Sequence, residues 1–156
     1  MTDPTSSSDS ELLLRGNHIP AGILRSAVKS GRISNAYLLK GPEGAPKADL
    51  ARRFAMALLC DTPDESLAGE PCGTCWSCRS VSSHSHPDLI EVAREGNTIK
   101  IKASHDMLKE ALAKPYHSAR KVFIVHDAES MTTEASNALL KVLEEPPAYV
   151  TFLLTA

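Results

Sequence analysis

No part of this sequence offers the run of about twenty apolar residues that a bilayer crossing needs. Its start, MTDPTSSSDSE, has no basic segment leading into an apolar one, so it does not read as an export signal. An excess of charge of one sign is lacking too. Seventeen Lys and Arg stand against nineteen Asp and Glu, for a net charge of −2 and a pI near 6.3. The chain therefore lacks the broad basic face that wholesale attraction to nucleic acid or membranes requires, and any DNA contact has to be local. Internal repeats are absent. What is present is a sequence of 156 residues with 42% hydrophobic content, enough for one core of ordinary domain size. A cytoplasmic protein with no membrane partner is expected. Residues 1–10 are polar, Ser-rich and acidic, a composition that cannot offset its ordering entropy by burial. Residues 1–12 are accordingly expected to form a flexible tail, with one folded domain over 13–156.

Hydrophobic periodicity sets the order of elements. Ile23, Leu24, Ala27 and Val28 mark one face of a helix over 21–30, with Arg25 and Lys29 outside it. The compact run Ala36-Tyr37-Leu38-Leu39 reads as a buried strand that ends at Gly41-Pro42. Leu50, Phe54, Ala57 and Leu58 give a helix over 47–59. Residues 61–85 hold no sustained period. Beyond them come a strand at 88–92, a helix over 104–114 capped by Ser104 and ended by Pro115, and a buried strand at 122–125. An amphipathic helix over 132–145 follows, broken by Pro146-Pro147, and then a strand at 150–155. Strands that are continuous apolar runs, alternating with helices, predict an α/β fold with a mostly parallel sheet covered on both faces.

The loop between the first strand and its helix carries a recognisable pattern. Gly41-Pro42-Glu43-Gly44-Ala45-Pro46-Lys47-Ala48 occupies the place of a phosphate-binding P-loop, written as G, four residues, G, K, then Ser or Thr. Lys47 fits. Pro46 does not, because it lacks the backbone N–H that such a loop aims at phosphate. Ala48 replaces the hydroxyl that holds Mg²⁺. The acidic partner site at the end of a neighbouring strand reads His126-Asp127-Ala128-Glu129. His126 stands where a metal-ordering carboxylate belongs, and imidazole is a poor ligand for Mg²⁺. Gly41, Gly44, Lys47 and Asp127 are then remnants of a degenerate nucleotide site with no catalytic residue, and binding of ATP or ADP is in doubt. An ordinary strand-to-helix turn would read the same way.

Every cysteine lies within one 19-residue stretch. Cys72-Gly-Thr-Cys75-Trp-Ser-Cys78 places three thiolates at steps of three, the spacing of a knuckle with its sulfurs facing one point, as tetrahedral zinc requires. Cys60 is the favoured fourth ligand because it closes the base of the stretch, with His84 and His86 as competitors. The resulting module, 60–85, is expected to carry a closed, structural zinc. An iron–sulfur cluster is the alternative, although the Cys-Pro it needs past Cys78 is missing. Ordinary reduced thiols are the plainer one.

Four segments together resemble bacterial DNA polymerase III clamp-loader subunits: 36–42, Pro71-Cys72-Gly73-Thr74-Cys75-Trp76-Ser77-Cys78-Arg79, His86-Pro87-Asp88, and Asn137-Ala138-Leu139-Leu140-Lys141-Val142-Leu143-Glu144-Glu145-Pro146-Pro147. The pattern is more similar to the δ′ branch, whose nucleotide site is also degenerate, than to γ/τ, with its intact GKT loop and Asp-Glu pair. The resemblance implies a P-loop (RecA-like) AAA+ core with an inserted four-Cys zinc module, acting beside other clamp-loader subunits (γ/τ, δ) to set the sliding clamp on primed DNA. It also implies a lid, a collar and an arginine finger in a Ser-Arg-Cys motif, none of which maps onto residues 13–156. Two other functions fit less of the sequence. One is a γ/τ-like ATPase that tolerates Pro46, Ala48 and His126. The other is a zinc-knuckle binder of single-stranded nucleic acid, for which only Trp76 and Arg79 qualify. Asn137 and Lys141 read as a solvated helix face, and His105 and His117 have no visible partner.

Overall fold

The computed structural model describes residues 18–156, so the expected tail lies outside the described residues. The order is α1 (His18–Ser30), β1 (Ala36–Leu39), α2 (Lys47–Leu59), a 3-10 turn (Glu65–Leu67) and α3 (Trp76–Ser82). Then follow β2 (Leu89–Val92), α4 (Ile101–Leu112), β3 (Lys121–Val125), a second 3-10 turn (Ala128–Ser130), α5 (Thr133–Glu144) and β4 (Val150–Thr155). The four strands form one sheet in the order β1-β4-β3-β2, and every pairing is parallel. No helix among the described residues is long and apolar enough to cross a membrane.

The sheet is covered on both faces, and β3 shows how. Val122 and Ile124 join Leu24, Phe54, Leu59, Val81 and Leu153 in one core, which α1, α2 and α3 cover. Phe123 and Val125 point the other way, into a core with Met107, Ala111, Leu139, Val142 and Phe152 beneath α4 and α5. Phe123 and Phe152 stack at 4.9 Å between ring centroids. Alternation on a strand buried on both sides gives the apolar run read from sequence. Lys121 is fully buried at the head of β3, where its Nζ donates to the Glu110 carbonyl (3.0 Å) and to Glu110 Oε2 (3.2 Å).

The elements begin and end for identifiable reasons, some of them not those expected. Thr132 caps α5, its hydroxyl accepting from Ala135 N–H at 3.2 Å. Ser104 does not cap α4. That helix starts at Ile101 behind Lys100, because Ile99 is buried and its N–H bonds the Ser130 carbonyl, fixing where the chain enters. Ser104 is left inside the helix, buried, with no partner for its hydroxyl. In α1, Ala21 and Leu24 are buried while Ile23 is exposed, so the apolar face is rotated from the one expected. Arg25, assigned to the outside, instead pairs with Glu70.

Residues 61–85 are also more ordered than their lack of periodicity suggests. They contain α3, whose Ser77, Cys78, Ser80 and Val81 are buried, and Val81 belongs to the main core. Glu70 joins the module to two helices, taking Arg25 of α1 and Arg53 of α2. Gly69 permits the approach: at φ +87°, a Cβ there would lie 2.4 Å from the Arg25 carbonyl oxygen.

Candidate functional site

The loop after β1 runs to Pro46, the N-cap of α2. The Pro46 carbonyl accepts from Leu50 N–H at 3.1 Å, so the missing N–H costs the helix nothing. Gly44 makes the turn at φ +84°. Within the loop Ala45 N–H bonds the Pro42 carbonyl (3.1 Å) and Lys47 N–H bonds the Ala45 carbonyl (2.7 Å). Two of the donors that would face a phosphate are thus turned onto the loop itself. The Lys47 ammonium follows suit, donating to the carbonyls of Gly41 (2.8 Å) and Ala156 (3.0 Å). Gly41, Gly44 and Lys47 are therefore brought together in one turn that closes on itself.

Asp127 is in the left-handed region at φ +52°. Its N–H donates to Thr155 Oγ1 (3.1 Å), and its carboxylate faces Arg94 at 3.8 Å. His126 beside it is held by Glu91 of β2, Nε2 to Oε2 2.8 Å. Glu91 in turn takes a forked pair from Arg52 of α2, at 3.2 Å from Nε and 3.0 Å from Nη2 to Oε2. Burial alone would raise the Glu91 carboxyl, but the hydrogen bonds from Arg52 and then His126 hold it below the usual range. An arginine, a carboxylate and an imidazole thus form a mutually satisfied group at the ends of β2 and β3.

The four cysteines converge. Cys60 caps the C-terminus of α2 and Cys75 the N-terminus of α3. With Cys72 and Cys78 they place all four Sγ atoms within 4.8 Å of one another. The Cys72–Cys78 and Cys60–Cys75 separations are 3.9 and 4.0 Å, against about 3.8 Å for tetrahedral sulfurs about 2.3 Å from zinc. Backbone amides point at the sulfurs: Thr74 and Cys75 N–H at Cys72 Sγ (3.4 and 3.3 Å), Asp61 and Cys78 N–H at Cys75 Sγ (3.4 and 3.3 Å). Such donors favour thiolate. Burial pushes the Cys60 and Cys78 thiols up, whereas the Thr62 and backbone hydrogen bonds draw Cys72 down to about 5. A divalent cation at the centre would deprotonate all four. The set can hold a metal ion, and His84 and His86 are not part of it.

Behind the thiols lies a polar network that no local signal disclosed. Asp61 accepts from Ser77 N–H (3.0 Å), Ser77 Oγ–H (2.7 Å) and His117 Nε2–H (3.0 Å). The Ser77 hydroxyl leads the bonds that hold the Asp61 carboxyl down at about 2. Buried His86 accepts Asp88 N–H at Nδ1 (3.0 Å), which leaves Nε2–H to donate to Ser77 Oγ (3.0 Å). The Asp88 carboxylate, fully buried, accepts the N–H groups of Tyr116, His117 and Ser118 at 2.6, 2.8 and 2.7 Å. His117, which the sequence left without a partner, thereby joins Asp61 and packs at a tilt against Trp76, ring centroids 4.5 Å apart and 50° between planes. The pairs that meet here are up to 56 residues apart in sequence.

The fold and these sites define a class: a parallel α/β domain with helices on both faces of its sheet, a glycine-bearing loop between its first strand and the following helix, and an inserted cluster of four cysteines. A family model described as "DNA polymerase III, delta subunit" matches residues 17–156. The chain belongs to that family of DNA polymerase III clamp-loader subunits. The delta′ subunit of DNA polymerase III from Bacillus subtilis is 39% identical over 127 residues, 80% of this chain and 36% of that protein. The tau subunit from Salmonella typhimurium is 37% identical over 131 residues, 84% of this chain and 20% of that protein. The chain thus spans about a fifth to a third of the curated relatives it matches. A crystal structure of a DNA polymerase III gamma subunit-related protein from Thermotoga maritima shares the fold, with a TM-score of 0.64 at 24% identity over 87% of this chain and 38% of that one.

Proposed function

We propose that this chain is the nucleotide-binding-like domain of a non-hydrolysing, δ′-like clamp-loader subunit. In that role it acts in the cytoplasm beside γ/τ and δ subunits, supporting placement of the sliding clamp on primed DNA. The observation that carries this is Lys47, whose ammonium is taken by two carbonyls of its own chain in a loop where Pro46 offers no N–H and Ala48 no hydroxyl. A P-loop stabilises the phosphates through those three features. The metal proposed for Cys60, Cys72, Cys75 and Cys78 is zinc. Bound by four thiolates, it supplies a closed structural cross-link with no open position for chemistry. The cysteines would tie the end of α2 to the start of α3, and Asp61 and Ser77 extend that tie to residues 116–118.

A second reading, a γ/τ-like ATPase, draws support from an apolar cleft of 330 Å³ beside Lys47, lined by Ile19, Ile23, Tyr37 and Leu39 among others, where a flat base could lie. One titration separates the two. With millimolar ATP and Mg²⁺, steady-state phosphate release from the zinc-loaded chain should stay at the buffer rate. Saturable turnover that disappears in Lys47→Ala would overturn the non-hydrolysing reading.

A further inference from the structure

Asp61 follows Cys60 in the chain, and Ser77 lies between Cys75 and Cys78. Both are therefore placed beside ligands of the metal site, and neither is a ligand. The Asp61 carboxylate spans the gap between them: Oδ2 accepts from Ser77 N–H at 3.0 Å and Oδ1 from the Ser77 hydroxyl at 2.7 Å. Its backbone reaches the same way, with Asp61 N–H pointing at Cys75 Sγ at 3.4 Å. These bonds join the end of α2, capped by Cys60, to the start of α3, capped by Cys75.

The direction of the carboxylate's bonds is fixed from behind. His86 accepts Asp88 N–H at Nδ1 (3.0 Å), so its Nε2 carries the proton and donates to Ser77 Oγ (3.0 Å). The Ser77 hydroxyl, with that lone pair taken, is left to donate to Asp61. Ser77 is fully buried and His86 is 4% exposed, so water does not compete for either. On the outer side His117 Nε2–H donates to Asp61 Oδ1 at 3.0 Å. Three donors on two other segments leave the carboxylate one orientation, whereas ending a helix needs only one of them.

Four thiolates carry twice the charge that a divalent cation offsets. Without the metal the sulfurs repel or take up protons, and the cluster loosens. Cys72, Cys75 and Cys78 stay near one another through short spacing, but Cys60 stands apart from them in sequence. Leu59 and Val81 share one core, which keeps α2 beside α3, yet the Cys60 side chain is aimed from the end of the helix. There the charge-assisted link to the other ligands is the Asp61 carboxylate.

We propose that Asp61 is a positioning residue for the metal: through Ser77 its carboxylate holds Cys60 in place against Cys75 and Cys78, so that metal and carboxylate strengthen one another. The role rests on the zinc proposed above and on nothing in the phosphate loop. Loss of a hydrogen-bonding partner behind the ligands lowers metal affinity by about 10- to 100-fold, which is the loss expected of Asp61→Ala. Coupling of this kind is reciprocal, so zinc should raise Tm less in Asp61→Ala than in the wild type.

The test measures zinc affinity of the full chain by competition with a chromophoric chelator, and Tm with and without zinc, in the wild type, Asp61→Ala, Asp61→Asn and His117→Ala. Asp61→Asn keeps one acceptor oxygen for Ser77 and should recover part of the affinity. His117→Ala leaves both bonds to Ser77 and should cost less than Asp61→Ala. Cobalt(II) in place of zinc reports the sulfur geometry through its visible bands, which should shift in Asp61→Ala. The role is overturned if Asp61→Ala binds zinc as tightly as the wild type and loses the same Tm with the metal as without it, as a residue that only ends a helix would. It is overturned equally if Asp61→Ala and Asp61→Asn both bind zinc more tightly, because the carboxylate would then act as one more negative charge beside the thiolates. A wild-type chain that holds no zinc would remove the zinc reading together with this role. Zinc held by the wild type and held equally by Asp61→Ala would remove this role alone.

Discussion

Asp88 is the group whose removal should be felt most widely. Its carboxylate is fully buried and accepts three N–H groups from consecutive residues 116–118 at 2.6 to 2.8 Å. Its own N–H holds His86, and its carbonyl accepts Val122 N–H at 2.8 Å, setting the start of β3. Asp88→Ala leaves the backbone bonds but strands three donors, each costing about 1–3 kcal/mol when buried and unpaired. Residues 116–118 lie in a loop that can shift toward water, so the total should fall near the low end, about 3–5 kcal/mol, as for a buried charged partner removed. For a chain of 156 residues, at about 2–4 °C per kcal/mol, Tm should drop by about 6–20 °C. Asp88→Asn keeps one acceptor oxygen and turns an NH₂ against a donor, so it should recover only part of the loss. Calorimetry of the zinc-loaded protein measures the shift. Emission of Trp76, which lies against His117, reports release of the loop in the same sample. A Tm loss below about 2 °C with unchanged emission would refute the reasoning, because the loop would then be held by something other than the carboxylate.

Acid should destabilise the fold in two stages. Burial lowers His86 from its ordinary value of 6.5, so the native state prefers the neutral ring, and stability begins to fall as pH drops below 6.5, where the unfolded chain takes up a proton first. Asp88 and Glu91, ordinarily 3.8 and 4.5, are both lowered in the fold, where hydrogen bonds outweigh burial. Their contribution is present above those values and is lost as pH falls from there through the folded values. A plot of Tm against pH should show both stages, and His86→Gln should lack the first. Metal content offers a separate check. Purified chain should carry one tightly held zinc, and Cys75→Ser should lose it along with a large part of the thermal stability, since metal that is bound only by the folded state adds its binding free energy to folding. Iron in the wild type, or full zinc in Cys75→Ser, would contradict the assignment.

The sheet and its helices were legible because periodicity reports burial directly: residues 122–125 are apolar without interruption, and β3 is buried on both faces. Convergence of the four cysteines was legible for a similar reason, three of them being set by local backbone spacing and the fourth by closure of the module. The Ser104 cap was misread because a hydroxyl before an apolar period is only a local preference. Burial of Ile99 decided the start of α4. The network of Asp61, Ser77, His86, Asp88 and His117 left no trace in sequence, since its members are brought together by tertiary folding and carry no repeat. The one available hint was the run His86-Pro87-Asp88, which was read for resemblance and not for chemistry.

If the loop over 41–48 is a degenerate phosphate loop, as proposed, its hydrogen bonds say what stands in place of a ligand. A pocket that had lost only its catalytic groups would keep its donors open to water or a ligand. Here Ala45 N–H, Lys47 N–H and the Lys47 ammonium have found carbonyls, and His126 has found Glu91, which Arg52 already neutralises. The sole buried side-chain polar atom without a partner among the described residues is Ser104 Oγ, on α4. A triphosphate would therefore have to displace four hydrogen bonds at the loop, at about 0.5–1.5 kcal/mol each, which would weaken its binding by roughly tens- to ten-thousand-fold against an open loop. Restoring glycine at position 46 would return one N–H and leave Lys47 where it is. Loss of nucleotide chemistry in this reading is a property of the whole hydrogen-bonded turn, and no single reversion within it should bring the activity back.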